Sequence, residues 1–510
     1  MEACYVREVK FSVVQIFNYP GSGMHRKFGK SDIVHIAFNA MLQHGLEPDF
    51  SLQAEKQIAS IIGPGHESGL DILDLTSLLW CSIDNDDSLD LDQLTACEAQ
   101  ADLSVIIYVA VADVDALVKK GSPVDNHAQN NTTSVYTSAH IFPMLPLPLS
   151  TDLTSLNPDE NRLALVTIMK VDAHGRVISS TVERALVRNK SKLAYDAVSA
   201  WIEGESKLPQ AALVVPGMEQ QLRCQDEVAQ KLRLRRYRKG SLQFQTFQPH
   251  AVFEGERVVA IEQQEQNRAR QLIEEFMIAT NACTANFLAD KGVASFRRVV
   301  KSPERWMRIV AVASEYGYAL PGEPDAAALE GFLAARHKAD PLRFPDLSLI
   351  IIKLMGSGEY VVEVPGQKAI GHFGLAERDY THSTAPNRRF PDLITLRMMK
   401  AILSNSPAPY GVDELEYLAA HCTRQEDAAR KVERRVSKSE AALLLGPMIG
   451  SHFDAIVTGH SDKGTWVRLL TLPAEGWLMR NIGKIKVGQQ IQVKLVLADV
   501  ERGFIDFERM

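Results

Sequence analysis

The sequence predicts an α+β body that ends in a small closed β-barrel of the OB type. Strands and helices between residues 66 and 446 are mixed, without a regular βαβ repeat. From residue 447 the pattern shifts to five short strands in roughly 60 residues, the spacing of a small barrel. Residues 1–65 carry two short helical runs beside one strand-like run, so they read as a small N-terminal α/β unit. That unit is compatible with a winged helix-turn-helix and equally with a plain packing module. The expected partition is therefore 1–65, 66–446 and 447–510.

In the first unit, residues 10–19 (KFSVVQIFNY) alternate and are β-branched, which predicts a strand broken by Pro20-Gly21-Ser22-Gly23. Ser31-Asp32 is placed to cap a helix over 33–42 that stops at Gly45. Ser51 is placed to cap a second helix over 52–61. In the body, strands are expected over 78–83, 105–111, 163–171 and 177–187, the last two joined by the turn Asp172-Ala173-His174-Gly175. Apolar positions at Ile273, Phe276, Met277, Thr280 and Phe287 predict a helix over 269–288. Further helices fit 392–403 and 425–445. The barrel strands are expected over 453–457, 464–470, 476–478, 490–497 and 503–507. Phe453, Trp466, Arg468 and Lys494 are candidates for stacking on bases and contacting phosphates there, although Phe453 and Trp466 serve equally well as barrel filling.

The segment LLWCSIDNDDSLDLDQ carries the strongest chemical signal. An apolar run opens into Asp84, Asp86, Asp87, Asp90 and Asp92. Carboxylates at the end of a buried strand repel one another, and a divalent cation among them removes the conflict. Hard oxygen donors without nearby His or a Cys pair point to Mg²⁺, with Mn²⁺ the alternative, rather than zinc. Such ions serve phosphodiester hydrolysis. A calcium loop is disfavoured because Leu89 stands where such a loop needs glycine and Thr95 where it needs glutamate. A solvated acidic turn remains open on this segment alone.

A second constellation is Arg388-Arg389, just ahead of a helix opened by Pro391. Arginine clamps phosphate and offsets charge in phosphoryl transfer, though paired arginines also serve as a solvated face. In Glu274-Glu275, one carboxylate must lie beside the apolar stripe and needs a partner. Basic clusters (Arg233, Arg235, Arg236, Arg238, Lys239; Arg297, Arg298, Lys301) offer local attraction for a polyanion.

Composition bounds the rest. The 510 residues suggest three or four domains, with 45% hydrophobic and 23% charged residues, ordinary for a globular chain. A net charge of −7 gives no global mark of a nucleic-acid binder, so phosphate binding must be local. The six cysteines show no CxxC pair, which suits a reducing cytoplasm. Charges in the first residues interrupt any signal-peptide core, and no apolar stretch is long enough to predict a membrane span.

These segments together resemble the ribonuclease II family, from about Asp71 to the C-terminus. IDNDDSLDLDQ resembles its metal-binding aspartate motif. YVAVADVDALVKKGSPVDNHA, the proline-rich TSVYTSAHIFPMLPLPLSTDLTSLNPDENRLAL, LIEEFMIATN and HFGLAERDYTHSTAPNRRFPDL follow in the family's order. The resemblance implies an RNB catalytic domain, a C-terminal S1-type OB-fold barrel, and a processive 3′→5′ exoribonuclease. Such an enzyme degrades single-stranded RNA to nucleoside 5′-monophosphates as a monomer. It further implies that Asp84, Asp90 and Asp92 hold Mg²⁺, that cleavage depends most on Asp92, and that Arg388 stabilises the transition state. Tyr136 and Phe244 would sandwich the terminal bases, Glu274 would contact the 3′-terminal sugar, and Glu433 would lie near the channel.

Two departures stand out. Gln93 occupies the place of a fourth aspartate; its carbonyl can still join the metal ligands, but without charge. This keeps open a catalytically impaired RNA-binding protein on the same scaffold. In addition, residues 1–65 take the place where the family carries cold-shock domains.

Overall fold

Seven strands form the central sheet, in the order Ile72–Asp74, Val177–Arg188, Asn161–Val171, Val105–Ala112, Gln93–Ala99, Cys81–Asp84 and Ser191–Ala194. The computed structural model describes residues 28–67, 72–246, 249–263, 266–367, 370–461, 464–480 and 485–510. The strand expected over 10–19 and its break at 20–23 lie outside them. The apolar Val105–Ala112 sits mid-sheet, with Val109 opposite Thr95 on one side and Thr167 on the other. The hairpin from Asn161 to Arg188 turns at Asp172, whose Oδ1 accepts the amides of His174 (2.8 Å) and Arg176 (2.9 Å). Gly175 there has φ +75°, and a Cβ would collide with the Lys231 backbone.

The strand expected from residue 78 begins only at Cys81. Leu78 to Trp80 form a turn instead: the Trp80 amide donates to Leu78 O, and its indole N–H donates to Leu75 O at 2.8 Å. Cys81–Asp84 then pairs in parallel with Ser191–Ala194, leaving Asp84 at the sheet end.

Helix Arg268–Asp290 packs against Met218–Arg238 and the sheet, its start capped by Asn267, which accepts the Arg270 amide at 2.9 Å. The last long helix is Val412–Leu445, thirteen residues longer at its start than the reading from 425. The missing turns carry Leu415, Leu418, Ala419 and Cys422, all buried against the sheet side of the core. The other half, with Val432, Val436 and Leu445, belongs to a second core shared with the barrel.

A lobe not foreseen from sequence comprises Trp306–Glu315, Ala326–Ala339 and Phe344–Met355, packed around Ile309, Phe332, Leu333 and Ile351. Each such buried side chain contributes about 1.5–3 kcal/mol.

The first helix is Lys30–Gln43, starting three residues before the expected 33: Gly29 is the N-cap, and Asp32 reaches back to its amide (2.9 Å). It packs on Val412–Leu445. Helix Leu52–Ala59 is capped by Ser51 as expected and packs on Pro123–Asn131.

The C-terminal strands His452–Ser461, Gly464–Leu469, Glu475–Arg480, Gln490–Asp499 and Phe504–Arg509 close into a barrel, the first pairing with the fourth. Val467, Leu469, Val493, Leu495 and Phe507 fill it. Phe453 packs against that filling. Arg468, a candidate phosphate contact, is instead paired with Asp346 of the helical lobe at 2.8 and 3.0 Å.

Candidate active site

The site is assembled from two loops. The carboxylate loop runs from Asp84, at the end of its strand, to Asp92, just before Gln93–Ala99. Asp84 Oδ1 accepts the Asn85 amide at 2.7 Å, and the Ser88 hydroxyl donates to Asp90 Oδ1 at 3.1 Å. Asp92 is only 2% exposed, and its carbonyl takes the Ala112 amide. The arginine loop, residues 381–389, turns at Pro386, where the Arg389 amide donates to Ala385 O. This turn presents two donors to one carboxylate: the Asn387 amide to Asp92 Oδ1 and Arg388 Nε to Asp92 Oδ2, both at 3.0 Å. Arg389 points elsewhere, to the fully buried Asp392 at 2.7 Å. The two adjacent arginines therefore differ in kind, one toward the site and one in a structural pair.

Burial pushes the Asp92 carboxyl up to about 7; Arg388 opposes that shift and Asp90 adds to it. Burial also raises Asp84, against the Asn85 amide and Arg388 and again with Asp90. This is negative charge short of compensation in an all-oxygen donor set, the chemistry a divalent cation satisfies. Among the described residues no three His, Cys, Asp or Glu side chains already stand as a metal-holding group. Gln93 is half-buried and pairs with Val111 through its backbone.

Tyr136 ties two of the predicted residues together. Its amide donates to Glu433 Oε1 at 3.1 Å and its hydroxyl to Asp90 Oδ2 at 3.4 Å, while the residue stays 40% exposed. Burial raises the Glu433 carboxyl. Phe244 is placed differently: it is half-buried against the helical lobe. Of the two adjacent glutamates, Glu275 is the inward one, 3% exposed and held by both Nε and Nη2 of Arg236 at 3.0 and 2.5 Å. Glu274 stays half open, 3.8 Å from Arg236 and 3.2 Å from Gln266 Nε2. Of the basic clusters, Arg297 and Arg298 are buried in pairs with Glu363 and Glu426, so they offer no patch.

Residues the sequence reading passed over also meet here. Arg270 Nη2 donates to Asn85 Oδ1 at 2.9 Å, and its guanidinium lies over the Tyr195 ring at 4.4 Å. Helical spacing puts Arg270 and Glu274 on one face, a usable signal. Asn387 and Tyr195 carried none.

The model of the RNB domain matches residues 72–405, and that of the RNase II-type exonuclease C-terminal S1 domain matches residues 451–510. This chain belongs to the RNB-domain family. Ribonuclease R of Escherichia coli is 31% identical over 424 residues, covering 79% of this chain and 50% of that protein. Ribonuclease R 1 of Lactococcus lactis is 28% identical over 469 residues, covering 86% and 56%. The chain thus spans about half the length of these curated relatives. The apo form of Mycoplasma genitalium RNase R shares the fold, with a TM-score of 0.83 at 21% identity over 94% of this chain and 78% of that one. That protein has also been solved in complex with ribose-methylated single-stranded RNA. No helix among the described residues is long and apolar enough to cross a membrane.

Proposed function

We propose that the protein is a processive 3′→5′ exoribonuclease that hydrolyses single-stranded RNA to nucleoside 5′-monophosphates. The observation that carries this is Asp92: a buried, charge-starved carboxylate held by Arg388 beside Asp84 and Asp90, within an RNB domain. The relatives named Ribonuclease R, and the RNA in the Mycoplasma structure, support the substrate class.

In this reading Asp84, Asp90 and Asp92 hold Mg²⁺, or Mn²⁺ in its place, with the Gln93 carbonyl able to join them. The bound ion supplies charge neutralisation at the phosphate and activation of the attacking water. Arg388 is anchored through Nε, which leaves its terminal nitrogens for the non-bridging phosphate oxygens as charge develops. The Tyr136 ring, fixed at its amide by Glu433, takes one face of a terminal base, and Phe244 takes a second. Glu274, half open on its helix, accepts from the terminal ribose, and the 2′-hydroxyl makes the site selective for RNA. The barrel adds grip on the incoming strand, and a single chain in a reducing cytoplasm suffices. The described cysteines are all free.

A second reading is an RNA-binding protein with lost turnover. Gln93, neutral where the resemblance calls for an aspartate, is what favours it. A time course on 5′-labelled single-stranded RNA, with Mg²⁺ and with EDTA, separates the two. A Mg²⁺-dependent ladder that shortens to a small limit product supports the enzyme. Bound but intact RNA overturns it.

A further inference from the structure

The proline-rich segment of the sequence carries Thr154-Ser155, both buried and just after the wide helical turn Pro148–Leu153. Ser155 grips the carboxylate loop. Its Oγ accepts the Leu91 amide at 3.0 Å and donates to Leu89 O at 2.8 Å, so the backbone is fixed on both sides of Asp90. The next amide, Leu156, donates to Leu91 O at 3.0 Å. Thr154 grips the arginine loop. Its Oγ1 donates to Asn387 Oδ1 at 2.5 Å, with Leu149 O also within reach at 2.9 Å.

A hydroxyl has one proton. Thr154 gives it to Asn387 Oδ1, the shorter contact and within the O–H···O range, while Leu149 O already takes the Thr154 backbone amide at 3.0 Å. Asn387 is then held at its side chain by Thr154 while its own amide and Arg388 Nε land on Asp92.

We infer that Thr154-Ser155 is a positioning pair, two adjacent hydroxyls that set the register between the carboxylate loop and the arginine loop. This rests on the ribonuclease reading for its consequence, since the two loops must present Asp92 and Arg388 to one phosphate. Neither hydroxyl touches substrate. Their effect is geometric, and misplacement by about an ångström costs on the order of a hundredfold in rate.

The test uses the full chain with Thr154→Val, which keeps the shape without the hydroxyl, Ser155→Ala, and the conservative Thr154→Ser. Single-turnover cleavage of RNA, RNA affinity and amide exchange by mass spectrometry are read on each. Thr154→Val and Ser155→Ala should each lose roughly tenfold to a hundredfold in rate, with RNA affinity nearly unchanged, and Thr154→Ser should recover most of it. Exchange should quicken in 385–390 for Thr154→Val and in 88–92 for Ser155→Ala. Parental rates, failure of Thr154→Ser to rescue, or exchange that quickens across the whole sheet would each overturn the inference. If the parent itself leaves RNA intact, the ribonuclease reading falls and the pair is judged by exchange alone: unchanged exchange in 385–390 and 88–92 then overturns it.

Discussion

Two buried arginine–carboxylate pairs in this molecule are built alike and finished differently. Between Arg236 and Glu275 both partners are sealed, 8% and 3% exposed, and two guanidinium nitrogens meet two carboxylate oxygens. Between Arg388 and Asp92 the carboxylate is sealed but the arginine keeps 42% of its side chain open, and a single nitrogen makes the bond. The closed pair is a structural joint between two helices. The open pair keeps hydrogen-bonding capacity in reserve and leaves its carboxylate short of compensation. The two pairs are told apart by what one of them leaves unsatisfied, the pattern expected of a functional pair.

The largest effect expected of this difference is on turnover. Asp92→Asn should lower RNA cleavage by at least about a thousandfold, with RNA binding retained and little change in thermal stability, because the half-open Arg388 keeps its water. A folded Asp92→Asn protein that degrades RNA at the parental rate breaks the assignment. Glu275→Ala should do the opposite. It strips a buried arginine of its partner and should cost about 3–5 kcal/mol in denaturant unfolding. A loss below about 1 kcal/mol would place the Arg236 pair among solvated ones.

A smaller effect sits on Glu440, 2% exposed in the long helix, where burial pushes the carboxyl up to about 7. Its folded value lies above its unfolded one, so the stability it contributes is present below about 4.5 and fades as pH rises through about 7. Glu440→Gln keeps a partner for Ser138 and should flatten the fall in stability between pH 5 and 8 by up to about 3 kcal/mol. An unchanged slope in urea unfolding at the two pH values would refute that. Smallest is Gln93→Asp, which adds a charge to the open site. Mn²⁺ affinity by calorimetry should rise by about tenfold, and an unchanged affinity would remove Gln93 from the ligand set.

Much of this was legible in local sequence. The aspartate loop, the arginine turn and all five barrel strands follow from alternation, turn residues and charge placed after an apolar run. What was not legible depends on partners far along the chain. Nothing near Glu274-Glu275 says that Arg236 selects the second as the inward residue. Nothing near Arg468 names Asp346, or near Arg298 names Glu426. The helical lobe around Phe332 carried a readable cap, Asp325 accepting the Ala328 amide, that the pattern reading passed over. The first turns of Val412–Leu445 were missed although Leu415, Leu418 and Cys422 recur at helical spacing.

That helix has a mechanical consequence. At 1.5 Å per residue its 34 residues make a rod roughly 50 Å long, filling the interval between the two matched family segments. One end is rooted among the sheet's side chains, the other among the barrel's, and Glu433, which holds Tyr136, sits along its length. The barrel is therefore not a bead on a tether. It cannot be swung aside or exchanged for another without exposing a hydrophobic flank, and a load applied to it is delivered along the rod to the residue that holds the Tyr136 amide.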